Sequence, residues 1–95
     1  VEYTSLWAAR HDILRVAARY GAHHVRIPRW AAEPFERPPE DLELVVSFDQ
    51  GRSLLDHAAL QLEIARLLGR RANVISDGGL DAAERDRVLR EYVPF

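Results

Sequence analysis

Apolar residues recur at three- and four-residue steps in three stretches of this chain and alternate with polar ones in a fourth. Leu6, Ala9, Ile13, Val16 and Tyr20 keep helical spacing behind Thr4 or Ser5, either of which suits an N-cap; the pattern predicts a helix over 5–20, stopped by Gly21. Leu42, Leu44, Val46 and Phe48 fall on every second residue, which predicts a strand over 42–48 with those four toward the core. Ser53 with Asp56 three residues on forms a capping-box start for a helix over 53–68 that Gly69 ends. Asp81 with Glu84 starts another over 81–92 in the same way. Short runs at 23–27 and 72–76 predict two further strands, and Pro28, Pro34, Pro38 and Pro39 break up the segment between the first two strands. With no repeat or linker, the expectation is a single domain, 1–95, of the α/β (α+β) class: a small mixed sheet flanked by helices.

The second helix is apolar on two sides. Leu54, Leu55, Ala58, Leu62 and Ala65 make one stripe; Leu60, Ile64 and Leu67 make another on roughly the opposite side. A helix of that kind must bury both. The reading taken from the sequence is that the first stripe meets the sheet, and that Leu60, Ile64 and Leu67 either pack on the last helix or form an interface with a second protein or a second copy of the chain.

Composition narrows the function. At 95 residues, 47% hydrophobic and 29% charged, the chain has the make-up of an ordinary globular domain. A net charge of −2 argues against nonspecific nucleic-acid binding. No cysteine means no disulfide and no thiolate chemistry, which is compatible with a cytoplasmic setting. No apolar run approaches the roughly 20 residues needed to span a bilayer. All thirteen basic residues are arginine, which excludes a lysine-dependent phosphate loop and fits GC-rich, bacterial coding.

Asp41 and Glu43 stand two apart at the head of the 42–48 strand and so share a face. Such a pair serves either as a magnesium site or as the wet side of an ordinary strand. His23-His24 reads as an edge-strand polar pair whose members face opposite ways.

The element order, together with Gly51-Arg52-Ser53-Leu54-Leu55-Asp56, Leu67-Leu68-Gly69-Arg70-Arg71, Gly78-Gly79-Leu80 and Val93-Pro94-Phe95, resembles the minimal nucleotidyltransferases. These are the small MNT antitoxins, which usually pair with a HEPN ribonuclease toxin. The resemblance runs from Ile13 onward and implies a polymerase-beta-like core. It also implies a Gly-Ser turn and an Ala-Arg-Gly stretch for the triphosphate, an Asp-x-Asp metal pair, and a third aspartate on the next strand. Here Arg29 and Trp30 stand for Gly-Ser, Glu33 for the arginine and Pro34 for the last glycine. Asp41 matches the first metal aspartate, Glu43 replaces the second, and Asn73 stands at the third.

Arginine and tryptophan obstruct the close backbone approach that glycine permits, and a neutral amide accepts no proton. The resemblance therefore implies a vestigial catalytic and metal pair, Asp41 and Glu43, with no cofactor expected and with magnesium and ATP if the protein is active. Trp30 would then fill the emptied cleft or anchor a partner. The expected role is protein binding, to a HEPN-type toxin or as a homo-oligomer. The alternative is magnesium-dependent transfer of AMP to a protein hydroxyl.

Overall fold

A computed structural model describes residues 6–32 and 41–95. A 3-10 turn, Leu6–Ala9, leads into α1, Arg10–Arg19; the expected caps Thr4 and Ser5 lie outside the described residues. There follow β1, Ala22–Pro28, a 3-10 turn at Arg29–Ala32, and β2, Leu42–Phe48. Then come α2, Leu54–Leu68, β3, Ala72–Ser76, a 3-10 turn at Asp77–Gly79, α3, Ala82–Glu91, and β4, Tyr92–Pro94. The third helix thus ends one residue before Tyr92, which opens a fourth strand that the hydrophobic pattern does not predict.

The sheet order is β3-β2-β1-β4. β1 runs antiparallel to both β2 and β4, while β2 and β3 are parallel, so the sheet is mixed as expected. One face carries α1 and α2 over a core that includes Ile13, Ile27, Leu42, Leu44, Val46 and Val74. The other face is crossed by α3, where Val88 packs on Val45 and Tyr92. The outward side of β2 is therefore only partly wet: Val45 is buried between the two carboxylates and Ser47.

Both predicted starts of the later helices hold. Ser53 accepts from the Asp56 N–H and Asp56 accepts from the Ser53 N–H at 3.0 Å, closing the box. Asp81 and Glu84 do the same for α3. Gly69 stops α2 in the left-handed region at φ 65°. Gly21 does the equivalent after α1 at φ 74°, and a Cβ there would collide with the Arg52 side chain as well.

The bond from the Ser53 backbone, countered in part by burial and helped by the charge of Arg52, holds the Asp56 carboxyl below its ordinary value of 3.8. A depressed carboxyl contributes stability that is complete above the unfolded value and is lost as pH falls through the folded one. The melting temperature should therefore fall on acidification below 3.8 by more in the wild type than in Asp56→Asn, as followed by circular dichroism. Equal slopes would remove Asp56 from the account.

The two stripes of α2 sit the other way round from the sequence reading. Leu60 and Ile64 are each 1% exposed, and Leu67 packs against the same core. The interface assigned to Leu60, Ile64 and Leu67 is thus core. Leu54, Leu55 and Leu62 are 84%, 81% and 61% exposed. At about 100° per residue, these three with Ala58 and Ala65 occupy one arc of roughly 100° on the outer side of the helix. The choice between stripes follows from their polar neighbours. Gln61 accepts from the Val74 N–H at 2.9 Å, and the His57 ring bonds the Val74 carbonyl, so the side bearing Leu60 and Ile64 is stapled to β3.

His23 and His24 also depart from simple alternation. The β1–β2 register shifts between His23 and Arg26, and His24 takes φ 50°. Both rings come to the surface 4.6 Å apart, with His23 Nδ1 3.0 Å from Asp49. An extra residue in one strand resets which way its neighbours point.

Candidate functional site

The head of β2, the turn after β1 and the end of α3 meet around a cleft of about 390 Å³. Asp41 and Glu43 line it from β2, Arg29 and Trp30 from the turn, and Arg87, Arg90, Glu91 and Tyr92 from the third helix and the strand it enters. The turn is set by the buried Pro28 and Ala31, which direct Trp30 half into the core and half into the cleft. Trp30 thus packs partly on the core and lines the cleft without filling it. Glu33 and Pro34 lie outside the described residues.

Among the described residues, arginines pair with two of the three carboxylates that line the cleft, Asp41 and Glu91. Arg71 approaches Asp41 at 3.5 Å, and Arg87 bonds Glu91 at 3.0 Å. That bond, against a small cost of burial, raises the already high pKa of Arg87, which also feels Tyr92 and Glu43. Arg29 crosses the cleft to donate to the Arg90 carbonyl at 3.1 Å and so ties the turn to α3. Burial first, and the charge of Glu43 second, raise the Tyr92 hydroxyl above its ordinary 10.0. Tyr92 therefore stays neutral at physiological pH.

Register brings Asn73 to the face of Glu43, its direct partner across the β2–β3 ladder. Asn73 does not line the main cleft. It opens instead on a neighbouring recess with Asp41, Leu62 and Arg71. Sequence reasoning found Asp41, Glu43, Arg29 and Trp30 and missed Arg87, Arg90, Glu91 and Tyr92. Their only local signal is the three- and four-residue spacing of Arg87, Arg90 and Glu91 on one side of α3.

A solved structure of a candidate minimal nucleotidyltransferase superposes with a TM-score of 0.81 at 43% identity, over 95% of this chain and 92% of that one. The chain belongs to the minimal nucleotidyltransferases. A candidate protein adenylyltransferase of Methanocaldococcus jannaschii is 26% identical over 84 residues, 88% of this chain and 90% of that protein. A mutant of the toxin–antitoxin pair MntA–HpeT shares the fold with a TM-score of 0.71 at 8% identity, covering 87% of this chain and 68% of that one. No protein-family profile matches.

Within this minimal nucleotidyltransferase the fit of a metal follows from the donors. Magnesium takes oxygens at about 2.0–2.1 Å in near-octahedral array. Asp41 is drawn toward Arg71, Glu43 shares its cleft with Arg87, and Asn73 adds only a neutral amide in the adjoining recess. Among the described residues, no three His, Cys, Asp or Glu side chains converge. Two carboxylates and a neutral amide would leave most of the six positions of a magnesium ion to water or to a nucleotide's phosphates. Among the same residues, no helix is long and apolar enough to cross a membrane.

Proposed function

We propose that this chain is a minimal nucleotidyltransferase that has lost transfer chemistry and acts by binding a protein, a HEPN-type toxin that it neutralises or scaffolds. The observation that carries the reading is the exposed leucine arc of α2, because a small domain gains nothing from keeping three leucines in water. The cleft supports it. Arg29 and Trp30 occupy the turn where a triphosphate would need close backbone approach, and cations face the two remaining carboxylates. The MntA–HpeT neighbour supports a protein partner for this fold. A cytoplasmic setting and a bacterial source belong to the same proposal.

A second reading draws on the Methanocaldococcus jannaschii relative, whose name denotes adenylyl transfer to protein, and on the sharing of one face by Asp41, Glu43 and Asn73. It is transfer of AMP to a hydroxyl of the partner. The two readings separate in one experiment. The purified protein and its cognate partner are incubated with labelled ATP and magnesium, then sized by light scattering. A complex without label is expected. Label that disappears in Asp41→Ala establishes transfer and removes the first reading.

A further inference from the structure

A second cavity, of about 320 Å³, opens on the same sheet face at the far end of α3 from the cleft. Val45 and Val88, both buried, form its floor, and Leu80 and Leu89 its rim. Arg26 enters from β1 and Arg85 from α3, with His24, Ser47 and Asp77 completing the wall. The volume lies at the lower end of the range of ligand pockets, about 300–1,000 Å³.

Arg26 is the informative residue. It stands opposite Val45 in the β1–β2 ladder, half-buried, and among the described residues its guanidinium has no hydrogen bond or ion pair. Its terminal nitrogens still reach water and so stand open to an incoming acceptor. Arg85 is tethered through Nε to the Leu80 carbonyl at 3.3 Å, and its terminal nitrogens bond nothing else among the described residues. Among the described residues the cavity has one carboxylate, Asp77, and it is already engaged by the Ser47 hydroxyl. His24, beside Arg26, is held at φ 50°, a conformation a non-glycine residue seldom adopts, at the point where the strand register shifts.

Among the described residues, two arginines face one aspartate over an apolar floor, an excess of positive charge. We infer that this cavity binds a monoanionic carboxylate carried on a small apolar body, with Arg26 and Arg85 as the carboxylate clamp, Val45 and Val88 beneath the body and Leu80 at its side. Guanidinium matches a carboxylate in a two-pronged geometry. A dianionic phosphate monoester would bring a second charge toward Asp77 and is disfavoured. The carboxylate has two sources, a free small acid or the C-terminus of a peptide, and both present the same chemistry. The site shares no lining residue with the cleft and does not depend on the function proposed above.

The test is a titration followed by amide shifts in two-dimensional NMR. The probes are 4-phenylbutyrate, its neutral amide, phenyl phosphate, and a short peptide ending in leucine with a free or an amidated terminus. Saturable shifts confined to residues around Arg26, Val45, Leu80 and Val88 are expected with phenylbutyrate. The amide should bind about tenfold more weakly or worse, and Arg26→Gln and Arg85→Gln should each cause a similar loss. Arg85 is exposed, so its variant keeps the test valid if Arg26→Gln fails to fold. Peptide binding that needs the free terminus identifies a protein end as the source, whereas binding of phenylbutyrate alone identifies a free acid. The inference is overturned by equal binding of acid and amide, by tighter binding of phenyl phosphate, by shifts centred on Arg29 and Arg87, by unchanged affinity in a folded arginine variant, or by no saturable shift at all.

Discussion

Ile64→Asp is expected to leave the chain unfolded. Ile64 is 1% exposed and packs with Leu60 against β2 and β3, so aspartate there would be a buried charge with no partner. The substitution loses the burial of a large aliphatic side chain, about 1.5–3 kcal/mol, and adds an uncompensated charge worth about 3–5 kcal/mol. A domain of this size has only about 5–15 kcal/mol in total. Loss of helical circular dichroism and of amide dispersion is the expected readout. A variant that melts like the wild type would place Ile64 at the surface and reverse the orientation of α2.

The complementary result is expected on the other side of the same helix. Leu55→Asp with Leu62→Asp should abolish complex formation with a HEPN-type partner while the isolated chain stays folded. Both side chains are mostly in water in the free protein, where surface changes usually cost within about 0.5 kcal/mol. In an interface, central apolar anchors contribute about 2 kcal/mol or more each, near 30-fold in affinity, and an unpaired charge adds to the loss. Light scattering of the mixture, beside thermal melts of the variant alone, measures both. A complex that survives the double substitution would remove the leucine arc from the binding reading.

These two results divide along the line where the sequence stops being informative. The bounds of β2 and α2 are legible because each is set locally. Alternation needs only its own period, and Ser53, Asp56 and Gly69 mark the helix ends by bonds within a few residues. Which side of α2 faces inward is not local. Both arcs are apolar, and the decision rests on Gln61 and His57 finding the Val74 backbone across the chain. Three-residue β4, with a proline in it, carries no pattern of its own and is fixed by pairing with β1.

The candidate site was half legible for the same reason. Asp41 and Glu43 share a face by strand geometry alone, and the 43–73 pairing brings Asn73 to that face as expected. Arg87, Arg90, Glu91 and Tyr92 enter the cleft only because α3 crosses the sheet, and nothing near them in sequence announces that crossing. The register shift in β1 brings the His23 and His24 rings to the surface side by side, which strict alternation does not predict.

The staple between α2 and Val74 has a consequence for how copies of this chain can meet. In the described sheet β3 is an outer strand, and such strands invite neighbours to continue the ladder and polymerise. At its midpoint, the N–H and carbonyl that would recruit another strand are already taken by Gln61 and His57. The opposite margin, β4, is three residues long and includes Pro94, which has no N–H to offer. Neither margin is therefore an open template, and fibre growth by strand addition is disfavoured at both. Association is left to side-chain surfaces, where geometry limits the number of partners and a complex can be made and undone.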